Sequence, residues 1–207
     1  MKLFEKLKKL LYPENLKCIV CNKEIFTEDA FSLCSECLTT LPFINDKICK
    51  ICGEPIYGEG YLCERCCNNE ITNIKLARAV FVYKGNIRKL IYKLKYENQK
   101  YVAKVLSELL HNYFVHSEDF KDIDVIIPVP LHKNKLKSRG YNQSELLLQK
   151  FNKDIVNINC LERVVDTPTQ TKLDRKERLN NLENAFVVKN SEIIKNKNIN
   201  IQTTIKT

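Results

Sequence analysis

Cys18-Ile19-Val20-Cys21, Cys34-Ser35-Glu36-Cys37, Cys49-Lys50-Ile51-Cys52 and Cys63-Glu64-Arg65-Cys66 decide the architecture of the first third of this 207-residue chain. The four Cys-x-x-Cys units are separated by twelve, eleven and ten residues, which is nearly a repeat. Two residues between thiolates let one tight turn aim both sulfurs at a single ion, and two such turns complete a tetrahedral four-sulfur zinc site. Eight ligands therefore predict two Zn²⁺ ions. A closed site of this kind leaves no position open for chemistry, so the expected role is structural. Disulfides would need an oxidising compartment, and the amino-terminal residues do not read as a signal peptide. A redox Cys-x-x-Cys usually occurs once, at the start of a helix, and iron–sulfur clusters use other spacings. Short loops favour adjacent pairing of the units, first with second and third with fourth, while a cross-braced pairing stays open. Cys67 follows a ligand and at most substitutes for it. Cys160 sits in an apolar stretch and is expected to be an inert core thiol.

Length sets one to two domains. A 44% hydrophobic content with nine Phe and nine Tyr is enough for an ordinary core outside the cysteine block. The cysteine block itself is too small to fold without metal. Over residues 1–15 the spacing predicts an amphipathic helix, with Leu3, Phe4, Leu7, Leu10 and Leu11 on one face and Lys2, Lys6, Lys8 and Lys9 on the other. It is too charged and short for a signal peptide or a span, so a cytoplasmic protein is expected; the helix packs on its own chain or makes peripheral membrane contact. The formal net charge is +9. Eight thiolates and two divalent ions reduce it to about +5, a balance that permits nucleic-acid contact through clustered Lys and Arg without requiring it.

The cysteine module runs over residues 16–67, and the pattern over 75–207 is that of an α/β domain. Lys75–Tyr83 reads as a strand. A helix follows, with Ile87, Leu90, Ile91 and Leu94 on one face, and Tyr101–His116 repeats that pattern. Ile123–Val129 is a short, nearly continuous apolar run, as expected of a strand buried on both faces of a parallel sheet. A polar, basic loop comes next with His132, Lys133, Lys135, Lys137, Arg139 and Gly140. Asn142 precedes Glu145 by three residues, a capping-box-like start to a helix over Gln143–Phe151. Strand, basic loop and helix start in that order suggest an anion site at the carboxyl end of the strand. On charge alone, 133–139 is a solvated basic turn; its position is what favours the functional reading. Further on, Arg175 and Arg178 lie three apart and would share a helix face, placed either to clamp phosphate or to form surface ion pairs with Asp174 and Glu177.

Taken together these blocks resemble the ComF family of competence-associated proteins with phosphoribosyltransferase-like domains. The resemblance rests on the double zinc ribbon, on Tyr83-Lys84-Gly85 with Arg88, Leu90-Ile91 and Lys95-Tyr96, and on Pro128-Val129-Pro130-Leu131-His132. It rests also on Arg139-Gly140-Tyr141-Asn142-Gln143-Ser144-Glu145-Leu146 and on Thr167-Pro168-Thr169-Gln170 with Arg175, Glu177-Arg178, Asn181 and Ala185-Phe186. It implies a type I phosphoribosyltransferase-like domain behind the ribbon. His132, Lys133, Arg139, Gly140, Tyr141, Asn142 and Gln143 would then approach the pyrophosphate of phosphoribosyl pyrophosphate. Thr167, Gln170, Arg175, Arg178 and Asn181 would belong to a flexible loop over the site, and Mg²⁺ would accompany catalysis in a full-length form. The family's setting implies single-stranded DNA and a competence helicase as partners; a ribbon that binds DNA without catalysis is the alternative.

The family pattern also includes two consecutive acids and a Thr-Thr-Gly-type loop after a strand. Here the strand beginning at Lys197-Asn198-Ile199 is followed by Asn200-Ile201-Gln202-Thr203-Thr204-Ile205-Lys206-Thr207, with neither acids nor glycine. The expectation is an incomplete parallel sheet, no buried strand over the last eight residues, a truncated and destabilised second domain with an exposed apolar edge, and no phosphoribosyl transfer by this chain.

Overall fold

The computed structural model describes residues 17–25, 32–44, 47–70, 75–167 and 175–203, without the side chains of 175, 176, 178 and 179. The segment expected to be an amphipathic helix, residues 1–15, and Gln170 lie outside the described residues. Two compact units divide the chain, Met1–Lys93 and Leu94–Thr207.

The first unit is built twice over the same plan. In the first ribbon the Cys18 N–H donates to Lys23 O at 2.7 Å, the Asn22 N–H donates to Cys18 O, and Lys17 bridges Glu24 antiparallel. In the second the Cys49 N–H donates to Glu54 O at 2.8 Å, Gly53 N–H donates to Cys49 O, and Ile48 bridges Pro55. Each knuckle is followed by a short helix that begins at the third cysteine: α1 (Ser35–Thr39) after Cys34 and α2 (Glu64–Cys67) after Cys63. The Cys34 Sγ caps α1 by accepting from the Cys37 N–H.

Residues 75–84 pack along this unit in extended form. Lys75–Tyr83, expected as a strand, is not one: its ladder is reduced to a single bridge between Phe81 and Phe43, whose rings lie 4.8 Å apart. Its β-prone residues meet an irregular connection between the ribbons. The Ile44 N–H donates to Val80 O and the Val82 N–H to Pro42 O, but no regular edge is there to extend the pairing. Helix α3 (Gly85–Tyr96) follows as expected, burying Ile87, Leu90, Ile91 and Leu94. Lys93 Nζ donates to Ile19 O at 3.0 Å within the first unit.

The second unit is organised around β1 (Val125–Pro128), every residue of which is buried. One face carries Ile126 against Leu148, Phe151, Leu110 and Phe114, the last two from α4 (Val102–His116). The other carries Val125 and Ile127 against Cys160, Leu161 and Ile194. Cys160 is therefore the core thiol the sequence suggests. Alternation of side chains across a strand accounts for the split, and burial of both faces for the unbroken apolar run. On one edge β1 pairs in parallel with β4 (Ile199–Gln202), Val125 opposite Ile199 through Pro128 opposite Gln202. On the other edge Ile126 exchanges backbone bonds with Ile155 and Asn157.

Asn200-Ile201-Gln202 pair with β1, but β4 is not a buried strand, which agrees with the expectation of no buried strand there. An edge strand needs only one neighbour and one covered face. Asp124 supplies extra support, its carboxylate accepting from the Asn198 N–H at 2.8 Å while its own N–H donates to Asn198 O. Ile199 and Ile201 are the exposed side chains of this strand. A separate antiparallel pair joins β2 (Leu161–Arg163) and β3 (Phe186–Val188).

Two further differences fall beside β1. Residues 133–139, expected as loop, form helix α5 (Lys133–Arg139), started by the His132 side chain and stopped by Gly140 at φ +77°. The helix expected over Gln143–Phe151 is a single turn, α6 (Gln143–Leu146); beyond it, bonds of the i→i+3 kind carry the chain to Phe151. That tightening brings Leu148 and Phe151 onto Ile126. Helix α7 (Arg175–Leu182) precedes β3.

Candidate functional site

The eight ligand cysteines gather as two sets, Cys18, Cys21, Cys34 and Cys37, and Cys49, Cys52, Cys63 and Cys66. Adjacent units share a site, and the cross-braced alternative is ruled out. Within each set all sulfurs lie within 4.8 Å of one another. Cys21 and Cys34 sulfurs are 3.7 Å apart, and those of Cys52 and Cys63 are 3.5 Å apart. A tetrahedral ion with metal–sulfur bonds of about 2.3 Å separates its ligands by roughly 3.8 Å. The donor sets thus fit a soft divalent cation. Cys67 is exposed and belongs to neither set.

Charge makes the same point. Burial pushes the Cys18 thiol up, but N–H bonds from Cys21, Cys34 and Val20 outweigh it and bring it down to about 6. In the second set, N–H bonds from Cys63, Cys52 and Ile51 overcome burial and bring Cys49 down to about 6 as well. Burial and the surrounding sulfurs push Cys66 up to about 12 and drive Cys37 up likewise. One ready thiolate in each set suppresses ionisation of its neighbours, so four thiolates coexist only around a cation.

A second cluster lies at the carboxyl end of β1. His132 is buried; its Nδ1 sits 3.4 Å from the Asn134 N–H and 3.4 Å from Asp166 Oδ2. Asn134 donates its side-chain N–H to the same Asp166 oxygen at 2.7 Å. That bond first, then the charges of His132, Lys135 and Arg163, hold the Asp166 carboxyl below its usual range. Lys135 Nζ donates to Thr167 O at 2.5 Å, and Arg163 donates to the Thr167 hydroxyl. Burial, then repulsion from Arg163 and Arg139, lowers the Lys135 ammonium. The Arg163 Nε is buried without a hydrogen-bond partner, its guanidinium 5.4 Å from the Phe186 ring centroid. Arg139 donates to Gln143 Oε1 and stands 5.9 Å above the Tyr96 ring.

Of the residues expected at an anion site, His132 lies beside Asp166, Thr167 accepts from Lys135 and Arg163, and Arg139 is bonded to Gln143. Lys133 is exposed. Tyr141, Asn142 and Gln143 are largely structural: Tyr141 donates to Leu94 O, and Asn142 accepts from the Ser144 N–H while donating to Val129 O and Glu145 Oε1. Asn142 thereby fills the first turn of α6, and the charge at the site comes from side chains. Arg175 and Arg178 occupy α7, with side chains outside the described set, and Asn181 lies in the same helix. Arg163 and Asp166 are the members that motif reading leaves out of the site, whereas Lys135 belongs to the basic loop expected there. Arg163 and Asp166 bracket the turn that follows β2, the one local signal pointing to them.

A sequence profile of the double zinc ribbon domain matches residues 7–67. Competence protein F of Haemophilus influenzae is 32% identical over 180 residues, which are 83% of this chain and 76% of that protein. The chain belongs to the competence protein F family. Among other members, DNA utilization protein YhgH of Escherichia coli K12 is 30% identical over 161 residues, 75% of this chain and 69% of the relative. Competence protein ComFC of Bacillus subtilis is 24% identical over 186 residues, 79% and 72% of the two chains. No solved structure matches this family member. Among the described residues no helix is long and apolar enough to cross a membrane.

Proposed function

We propose that the chain is a DNA-uptake protein in which two structural Zn²⁺ ions hold the ribbon unit, and in which the second unit is phosphoribosyltransferase-like and binds a pyrophosphate group. The names of the relatives, competence protein and DNA utilization protein, support a setting in competence and the handling of DNA. To this we add natural transformation on the cytoplasmic side, with single-stranded DNA and a competence helicase as partners. One observation carries the pyrophosphate reading: Lys135 and Arg163 meet at Thr167, and Arg139 ends the helix that carries Lys135, beyond the carboxyl end of the buried parallel strand, where open α/β sheets gather their ligands. Asp166 is the single carboxylate bonded into the cluster among the described residues. It fixes Asn134 and sits against His132, while Gln143 holds the Arg139 guanidinium in place. The physiological anion is the pyrophosphate of phosphoribosyl pyrophosphate, with Mg²⁺ as its counterion. The reading is of a binding site, and no transfer step is assigned to it.

Calorimetric titration of the whole chain with inorganic pyrophosphate and Mg²⁺ tests it. Saturable binding that weakens about tenfold or more in Arg139→Met is expected, the size of one lost charge-assisted contact. Absence of binding by the unaltered chain would refute the reading.

A second reading is favoured by the outer face of the second ribbon. Tyr57 is 94% exposed and Tyr61 66% exposed, and Lys50 Nζ stands 4.0 Å above the Tyr61 ring with Lys47 at 5.7 Å. Exposed aromatic rings interleaved with lysines suit stacking of bases beside a phosphate backbone. Affinity for a poly-dT oligonucleotide should fall steeply with salt and drop in Tyr61→Ala. Salt-independent binding, or none, would remove this reading.

A further inference from the structure

The turn between α3 and α4 carries a half-exposed tyrosine at each end. Tyr96 closes α3 and is 52% exposed; Tyr101 leads into α4 and is 56% exposed. Both lie in the second unit. Single exposed rings are ordinary on a protein surface. Here two stand five residues apart, and crossed contacts join their turn to the one between α5 and α6. Arg139, the last residue of α5, stands 5.9 Å from the Tyr96 ring centroid, and Lys100 stands 5.0 Å from that of Tyr141. Gln143 accepts from Arg139, and the buried Tyr141 donates its hydroxyl to Leu94 O. Within the first turn the Tyr101 hydroxyl donates to Gln99 Oε1 at 2.7 Å, and Gln99 Nε2 donates to Glu97 Oε2 at 3.0 Å.

These contacts hold the two tyrosines in place and leave about half of each in water. The carboxylate of the turn, Glu97, is engaged by Gln99, while Arg139 and Lys100 bring two positive charges. Lys135 lies one turn before Arg139 on α5, so the two share a helix face and extend the positive surface along it. Open ring faces with cations fixed beside them match the chemistry of a single nucleic-acid strand: every base offers a π-face, and each nucleotide carries a negative charge. A duplex matches it less well, because its bases are already stacked on one another. We propose that Tyr96 and Tyr101 are stacking platforms for bases of single-stranded DNA, with Arg139 and Lys100 meeting its phosphates. The inference rests on single-stranded DNA as a partner, as proposed above. It adds a contact surface on the second unit to the tyrosines of the second ribbon. Binding there is tolerant of sequence, because stacking needs only a base.

Fluorescence anisotropy of the zinc-loaded whole chain, with a poly-dT oligonucleotide and with an abasic strand of the same length, tests the surface. Tyr96→Leu should weaken binding of the dT strand at least about fivefold and leave the abasic strand unaffected. Tyr96→Phe keeps the ring and should bind dT like the unaltered chain. Arg139→Gln should weaken both strands and flatten the logarithmic salt dependence by about 0.7, the share of one phosphate. If Tyr96→Leu binds dT as tightly as the unaltered chain, the surface is wrong and DNA remains a partner through other residues. Equal loss on both strands would reduce the surface to phosphate contact and overturn the stacking. If the unaltered chain binds no DNA, the partner reading and the inference fall together. Because a variant can fail by misfolding, a second measurement uses the native chain, photo-cross-linked to a strand carrying 5-iododeoxyuridine and digested with trypsin. Cleavage after Lys95, Lys100 and Lys104 releases peptides 96–100 and 101–104, which separates adducts on Tyr96 and Tyr101 from those on Tyr57 and Tyr61. An adduct on peptide 96–100 or 101–104 is expected; adducts confined to other peptides would overturn the inference.

Discussion

The two ribbons share a backbone and differ in almost every side chain that touches it. In both, the second residue after an amino-terminal pair of cysteines begins a contact across to the helix that follows the third cysteine. In the first ribbon Lys23 reaches Glu36 at 2.6 Å; in the second Glu54 reaches Arg65 at 2.7 Å. The geometry is the same and the polarity is reversed. A salt bridge does not depend on which partner carries which sign, so the fold keeps the contact and leaves its direction free. What cannot be exchanged is the set of sulfurs and the turn that aims them. The knuckle residue has a positive φ in each case, +61° at Asn22 and +67° at Gly53. The ribbons differ most in what lies against this turn. Gly53 is approached by the Ala77 carbonyl, and Arg78 donates to Cys49 O and Lys50 O, so the second ribbon is clasped by residues 77–78.

The largest effect that can break the comparison is loss of metal. The apolar cluster of the second ribbon consists of Cys49, Cys52 and Cys66 with Ile51, Ile56 and Cys63. A core in which the ligands themselves are the buried residues has little left when the ion is gone. Titration with a zinc chelator, followed by circular dichroism and zinc release, should show cooperative loss of structure in the ribbon unit. Structural zinc in small modules is worth on the order of 10 kcal/mol at neutral pH. A ribbon unit that kept its native amide protection without metal would show that packing, and not the ion, holds the repeat.

A smaller effect separates the two knuckles. A Cβ added at Gly53 would lie 2.4 Å from the Ala77 carbonyl oxygen, a backbone atom that cannot rotate away. Gly53→Ala therefore combines left-handed strain with a backbone clash and should cost about 3 kcal/mol, with loosening of residues 77–78. Asn22→Ala meets only the conformational term and should cost about 1 kcal/mol. Chelator midpoints and hydrogen exchange of the two variants measure the difference. Equal costs would mean that the clasp does not discriminate the ribbons.

Much of this molecule is legible in the sequence where one local pattern has one structural solution. Four Cys-x-x-Cys units gave both thiolate sets, and the apolar spacing of α3 and α4 and the unbroken run of β1 read directly. Reading failed where the outcome depended on a distant partner. Lys75–Tyr83 has strand residues but no regular edge to pair with. By contrast, Ile199–Gln202 reads as no buried strand and is none; the edge of β1 and the Asp124 carboxylate hold it in register. Helix α5 carries signals that were open to reading: Gly140 just past its end, and Lys137 and Arg139 in the last turn. It was masked by having Leu136 as its single large apolar residue, too little for a periodic pattern. In the anion cluster, Lys135 comes from one stretch of chain and Arg163 and Asp166 from another well beyond it, so no local motif unites them.

The finest test concerns the reversed ion pairs. Both side chains of the Lys23–Glu36 bridge are well exposed, 64% and 69%, whereas Arg65 and Glu54 are 32% and 45% exposed. Exposed pairs are screened by water and salt and give up side-chain freedom to form. A double-mutant cycle at Lys23 and Glu36 should show no measurable coupling. At Glu54 and Arg65 the pair is partly shielded and lies near the sulfurs: Glu54 Oε2 is 4.0 Å from the Cys52 Sγ. Desolvation lowers the Arg65 guanidinium, but the Glu54 bond and the charges of Glu54, Cys52 and Cys63 outweigh it and leave it raised. The cycle there should give a coupling of up to about 1 kcal/mol, reduced in high salt. Swapping the partners, with Glu54→Arg and Arg65→Glu together, discriminates between two sources of that coupling. If it comes from the pair alone, the swap restores it, as the reversed first ribbon suggests. If Arg65 also offsets the charge of the thiolates, the swap places a carboxylate on the helix beside Cys63 and Cys66, and stability stays low although the bridge can form. The second outcome is expected, because the net negative charge of a four-thiolate zinc centre favours a cation on that helix in a way that the exposed Glu36 of the first ribbon does not contradict.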